Sequence, residues 1–299
     1  MRGYNLAAVP ELPDLAVVAD GLHAALAGRS ITSAEAPAPL AVRGTPVELA
    51  ALVGQRLERI DRRGKFIRFF LERDFVAVNA MLTGRFQLAS PGAKRPTSTA
   101  LVLGFGSRES APRDVAAWTR GADWIPRDDA TAELRYRDPS QMGKVYLVPA
   151  GSNRAVPGLG DGEQGPDADA RELTPAIWRE RIRRHPGELK SLLRNQAFVA
   201  GIGNAYSDEI LHAARLSPFR KRPSLAPEEV DELYEATRAT LGSAIDTLRE
   251  RYPPTFEHQV RDFLAVHLRG GQPCPRCGTR LSEVSSRGEI TTWCRGCQR

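Results

Sequence analysis

The 299-residue sequence holds no cysteine before position 274, so nothing upstream of that point can rest on disulfides or thiolate ligands. It has no apolar run near the ~20 residues that a membrane-spanning helix requires. Its N-terminus also lacks the apolar stretch of a signal peptide, and the expectation is a cytoplasmic protein. Lysine is scarce: Lys65, Lys94, Lys144, Lys190 and Lys221 are five of 42 basic residues. Arginine forks suit phosphate recognition, although an arginine excess with abundant Ala, Gly and Pro equally fits a GC-rich genome. The five histidines (23, 185, 212, 258 and 267) show no ligand-like pairing and read as ordinary surface or core residues.

The composition present, 41% hydrophobic and 26% charged, is that of a globular chain long enough for two cored domains and a small module. Net charge is +6, and it is unevenly placed. Residues 263–299 carry six arginines against two glutamates, whereas Asp161, Glu163, Asp167 and Asp169 make 160–170 acidic. A basic tail of this kind fits a nucleic-acid partner better than a generic surface. All four cysteines lie in that tail, as Cys274-x2-Cys277-x16-Cys294-x2-Cys297. Two CxxC turns at this separation can surround one zinc ion on stacked hairpins, and four protein ligands make a closed, structural site. Disulfides are the alternative, disfavoured in an intracellular chain.

Residues 188–211, ELKSLLRNQAFVAGIGNAYSDEIL, carry the most specific signal. Helical apolar spacing on both sides flanks the small-residue turn Ala200–Asn204. The glycines permit a tight turn. Unpaired N–H groups at the following helix start suit a phosphate, with Asn204 as a further donor and Lys190 and Arg194 adding charge. An αα-hairpin whose glycines merely allow close packing remains the alternative. Upstream, Pro10-Glu11-Leu12-Pro13-Asp14-Leu15 reads as a helix N-terminus with Pro13 just inside. Residues 57–70, LERIDRRGKFIRFF, read as two strands around a turn at Arg62–Gly64. A strand is expected at Ala100–Phe105, a Gly/Asp-rich linker at 150–170, and helices at 174–184, 188–199, 205–214 and from Pro227 to about Arg251.

Taken together these segments resemble the formamidopyrimidine-DNA glycosylase/endonuclease VIII family: PELPDL is similar to its opening PELPEV, and GIGN with the four-cysteine hairpin to its helix–two-turn–helix and zinc signatures. The resemblance covers nearly the whole chain from Pro10 onward. It implies an α+β multidomain fold: a catalytic β-sandwich with flanking helices over 10–150, a linker over 151–170, a helix–two-turn–helix DNA-binding domain over 171–262 and a zinc β-hairpin over 263–299. It implies a monomeric base-excision-repair glycosylase with AP lyase activity on oxidised or ring-opened bases in duplex DNA.

By the same resemblance Pro10 supplies the nucleophilic secondary amine, Glu11 shuttles protons, and Lys65 on the β-hairpin contacts a lesion-flanking phosphate. Lys190, Gly203 and Asn204 grip phosphates. In residues 75–85, similar to the family's HLGMSG loop, Asn79 replaces the histidine and Leu82 replaces the methionine that fills the flipped base's space. In Asp138-Pro-Ser-Gln-Met-Gly143, similar to DPRRFG, Ser140 replaces the void-filling arginine and Met142 the phenylalanine. Glu289 replaces a phosphate-binding arginine of the zinc hairpin, and Arg287, on the same strand face, is the compensating cation.

A proline nitrogen inside a peptide bond has no lone pair to give. Val9 stands where the family's initiator would, and GTG is both a valine codon and an alternative start. Translation from codon 9 would leave Pro10 N-terminal. The alternatives are a damage- or abasic-site-binding protein without lyase chemistry, or a monofunctional glycosylase in which Glu11 or Asp14 activates water.

Overall fold

The computed structural model describes residues 9–108, 132–160, 162–252, 256, 258–286 and 288–299. They divide into two compact units, one built of Pro10, Asp14–Pro157 and Leu248–Gln259, the other of Glu11–Pro13, Gly158–Thr247 and Val260–Arg299.

The first unit begins with α1 (Leu12–Leu26) and β1 (Arg29–Glu35), followed by the short β2 (Val42–Arg43), α2 (Pro46–Ala50), β3 (Leu57–Arg63) and β4 (Phe66–Leu71). It continues with β5 (Phe75–Asn79), β6 (Arg85–Ala89), β7 (Thr99–Arg108), β8 (Ala132–Arg137) and β9 (Lys144–Val148). These strands form a four-stranded sheet, β1-β7-β8-β6, and a five-stranded sheet, β2-β9-β5-β4-β3. Phe69 of β4 and Phe86 of β6 meet at 6.0 Å, and Phe86 meets Tyr136 of β8 at 5.5 Å. The alternating apolar residues of the two sheets therefore share one core.

The β3–β4 ladder closes with Arg63 opposite Phe66, so the turn is Gly64–Lys65, later than Arg62–Gly64. Gly64 takes φ 56°, which a glycine adopts without steric cost. Lys65 thus stands at the tip. Helix α2 lies between β2 and β3. Thr45 caps it, accepting from Glu48 N while the Glu48 side chain accepts from Thr45 N, with Pro46 in the first turn.

The second unit holds α3 (Pro175–Arg183), α4 (Leu189–Arg194), α5 (Asn204–Ala213) and most of α6 (Pro227–Arg251). Trp178, Leu189, Leu192, Leu193, Phe198 and Tyr206 form the centre of its core. Helix α4 stops at Arg194 rather than 199. Asn195 is extended, and its side-chain oxygen takes Ala197 N at 3.0 Å, the local competition with helix that asparagine offers. Phe198 and Val199 are buried in the turn itself. The unit ends in one antiparallel hairpin, β10 (Ser282–Ser286) and β11 (Glu289–Trp293). No helix among the described residues is long and apolar enough to cross a membrane.

Candidate active site and metal centre

Glu11 is 2% exposed, and its carboxylate closes the start of α5. It accepts from Gly203 N at 2.6 Å, Ala205 N at 2.8 Å and Tyr206 N at 3.2 Å, with the Arg261 guanidinium at 3.9 Å. The helix-start N–H groups assigned to a phosphate are thereby engaged by an internal anion, which satisfies the same dipole. The Gly203 N–H is thus committed to Glu11. A Cβ there would lie 2.5 Å from Glu11 Cδ, so the glycine is required by the approach of this carboxylate. Gly201, at φ 100°, lets the turn close over Leu12, whose N–H donates to Gly201 O at 3.0 Å.

Pro10 is buried and lines a cavity of about 10 Å³ with Asp14, Leu15, Gly84, Phe86 and Phe256. That is room for roughly one water molecule.

Asn204, the first residue of α5, is half-buried, and its Oδ1 has no hydrogen-bond partner among the described residues. Lys190 lies on α4. It is buried, and its Nζ donates to Asp208 Oδ1 at 2.6 Å and to Ile290 O at 2.9 Å. Burial lowers its pKa, opposed by the Asp208 charge. This internal ion pair ties α4, α5 and β11 together.

In the first unit two loops are knitted side by side. Asp138 accepts from Thr83 Oγ1, from Ser140 Oγ at 2.9 Å and from Gly143 N at 2.6 Å. Thr83 Oγ1 also meets Ser140 Oγ at 2.6 Å. Lys144 Nζ donates to the carbonyls of Gln141, Met142 and Gly143, each at 3.1 Å. Ser140, in place of an arginine, thus becomes a loop staple. Held on this base, Leu82 and Met142 are 37% and 49% exposed, with Met81 beside them at φ 47°. Exposed apolar side chains on fixed loops are what a wedge into a base stack needs. Lys65 is half-exposed at its turn.

The four cysteine sulfurs lie within 4.8 Å of one another, with Cys274–Cys297 at 3.8 Å and Cys277–Cys294 at 3.4 Å. Tetrahedral zinc thiolates sit about 3.8 Å apart given Zn–S bonds of about 2.3 Å, whereas a disulfide needs about 2.05 Å. The donor set fits one metal ion and excludes disulfides in this arrangement. Arg287 lies outside the described residues. Glu289, expected to repel a DNA backbone, forms a bidentate ion pair with Arg194 at the end of α4.

Two carboxylates and a histidine on α5 carry contacts that the sequence reading missed. Asp208 also accepts from Thr292 N at 3.1 Å and meets His267 Nδ1 at 2.8 Å. Glu209 accepts from the N–H groups of Ala265, Val266 and His267 at 2.8–2.9 Å, and its burial raises its pKa against those donors. His212, buried, places Nε2 3.3 Å from Cys274 Sγ. His212 and His267 are thus structural partners rather than incidental residues. The signal available was their spacing: Asp208 and His212 share a helical face at i, i+4.

Comparison with known proteins finds similar chains. Residues 9–145 match the family model described as the formamidopyrimidine-DNA glycosylase N-terminal domain, and residues 164–251 the one described as the formamidopyrimidine-DNA glycosylase H2TH domain. A formamidopyrimidine-DNA glycosylase of Symbiobacterium thermophilum is 32% identical over 97% of this chain and 89% of its own. That of Geobacillus kaustophilus is 31% identical over 97% and 100%. The crystal structure of Lactococcus lactis Fpg with abasic-site DNA superposes with a TM-score of 0.80 at 25% identity, covering 97% of this chain and 99% of that one. Its complex with DNA containing N7-benzyl-Fapy-dG gives 0.80 at the same identity.

Proposed function

The chain belongs to the formamidopyrimidine-DNA glycosylase family, and from that premise we propose that it excises oxidised or ring-opened bases with the amine of Pro10 and then cleaves the abasic strand. It is a DNA glycosylase of base excision repair, and its partner is duplex DNA carrying damaged bases or abasic sites. The proline chemistry and the lyase step are the finer reading. The observation that carries them is the fixing of Glu11 by three backbone N–H groups at the start of α5, those of Gly203, Ala205 and Tyr206. A buried carboxylate is thereby held one residue from the Pro10 nitrogen.

In the proposed reaction the lone pair of the Pro10 amine forms a bond to C1′ of the damaged nucleoside. The glycosidic bond breaks, and its electron pair leaves with the base, which takes up a proton. Opening of the sugar turns the amine into an iminium, which acidifies C2′. Loss of that proton expels the 3′ phosphate and cleaves the strand, with Glu11 carrying protons between these steps. The lone pair exists only when Pro10 is the first residue, so the active form begins there. The family match opening at residue 9 supports that start.

Lys65 and Asn204 are assigned to phosphates on either side of the lesion, and Leu82 and Met142 to the space the extruded base leaves. Arg287 is assigned to the backbone beside the zinc hairpin. Cys274, Cys277, Cys294 and Cys297 hold one zinc ion, which supplies folding energy to the hairpin and no chemistry to the reaction. A second reading rests on the cavity of about 10 Å³ shared by Pro10 and Asp14: a single water activated there would give base release without strand cleavage. The two are separated by scoring base release and strand scission independently on a duplex carrying a ring-opened guanine. The lyase reading requires both products, at comparable rates, from the chain beginning at Pro10. Base release alone would favour the water mechanism.

A further inference from the structure

Helix α5 has a task at each end. Its first turn holds Glu11, while its last turn reaches the cysteine cluster. His212 is 6% exposed, and its Nε2 stands 3.3 Å from Cys274 Sγ, itself 3% exposed. One turn earlier on the same face, Asp208 and Glu209 clamp the strand and loop that lead to the cysteines, through Thr292 N and the N–H groups of residues 265–267. The imidazole is thus carried by a rigid helix anchored on both sides of the cluster. Arg276 completes the contact: its NH1 donates to His212 O at 2.7 Å and lies 3.8 Å from Cys297 Sγ.

Two nitrogens from outside the ligand set, His212 Nε2 and the Arg276 guanidinium, therefore face two of the four sulfurs. Four thiolates on one divalent ion leave a net charge of −2, concentrated on sulfur and poorly solvated where the sulfurs are buried. A metal-bound thiolate is an acceptor only. The nitrogen at 3.3 Å from Cys274 must then carry the proton. We propose that His212 is a positioning residue of the zinc centre, donating Nε2–H to the Cys274 thiolate, with Arg276 as the matching donor toward Cys297. The pair lowers the electron density on sulfur, makes those thiolates poorer nucleophiles toward electrophiles, and slows loss of the ion. It also fastens the end of the DNA-binding helix to the metal hairpin. Outer-sphere partners of this kind change metal affinity by roughly 10–100-fold.

The inference rests on the zinc reading of the cysteine cluster, so the first measurement is zinc content of the purified protein. Absence of stoichiometric zinc would overturn that reading itself, independently of His212. With zinc present, three proteins are compared: wild type, His212→Phe, which fills the space without a donor, and His212→Gln, which retains an N–H. Release of zinc to a chromogenic chelator and site-resolved alkylation by mass spectrometry are followed in each. His212→Phe is expected to release zinc about 10-fold faster or more, with Cys274 the first cysteine alkylated. His212→Gln should stay close to wild type. Equal rates in wild type and His212→Phe, at equal zinc content, would overturn the proposal.

A wild-type observation removes dependence on the variants folding. In the ¹⁵N spectrum of histidine-labelled zinc protein, the His212 imidazole is expected as the Nε2–H tautomer. An Nδ1–H tautomer would set a lone pair against the thiolate and contradict the proposal.

Discussion

The carboxylate of Glu11 lies 2.6 Å from the backbone nitrogen of Gly203, joining residues 192 positions apart at the start of α5. Such a contact makes the glycine and the acid a single unit. Glu11→Gln retains size but turns an amide N–H₂ toward backbone donors, leaving at least one of them unpaired at a cost of about 1–3 kcal/mol. Base release is expected to fall by about 10²-fold or more. Urea unfolding and single-turnover excision, run on the same preparation, check both parts. Full activity in the variant would remove Glu11 from proton transfer.

Much of this site was legible in the sequence, and the exceptions are instructive. The cysteine spacing and the GIGN turn are local patterns with local physical causes, and both stand in the structure where their spacing suggests. The capping box of Thr45-Pro-Val-Glu48 is equally local. What fills the helix start was not legible, because Glu11 and Gly203 meet only through the fold. The same holds for Lys190: its charge and its place before the turn suggest a phosphate grip, and only tertiary structure brings Asp208 to 2.6 Å from it.

Lys190→Met leaves Asp208 buried beside a missing cation. Removing one partner of a buried pair costs about 3–5 kcal/mol, and here it also frees Ile290 O on β11. The expected result is a large loss of unfolding free energy in denaturant titration. A loss below about 1 kcal/mol, the range of an exposed pair, would show that the interaction is not structural.

Glu289 holds Arg194 in a bidentate pair. Glu289→Arg releases Arg194 and adds a cation, so up to two more positive charges face the DNA backbone. Affinity for undamaged duplex should rise at low salt, and the slope of log K against log salt should steepen by roughly 1–2. Fluorescence anisotropy across a salt series measures both. An unchanged slope would indicate that this face does not approach phosphate.

Leu82→Ala and Met142→Ala remove exposed apolar side chains from loops that are stapled independently by Asp138 and Lys144. Thermal stability should change little, while excision of a base from intact duplex should fall by roughly 10-fold or more, since each wedge offsets a few kcal/mol of unstacking. The loss should be smaller on a substrate that already contains an abasic site. Equal losses on both substrates would argue against a wedge role.

Ring-opened purines, oxidised pyrimidines and abasic sites are the expected substrates, because the 22 residues between Arg251 and Cys274 leave little chain for a capping loop over 8-oxoguanine. Cleavage of 8-oxoguanine duplex at a rate comparable to that of ring-opened guanine, at matched enzyme concentration, would contradict this.

The most direct measurement is borohydride trapping on an abasic-site duplex, comparing the 299-residue chain with the form that begins at Pro10. A covalent protein–DNA adduct from the shorter form alone, abolished when its N-terminus is chemically blocked, is the predicted result and identifies the proline amine as nucleophile. Absence of adduct from both forms, with salt-sensitive DNA binding retained, would contradict the lyase mechanism and leave a protein that binds damage without cleaving at it.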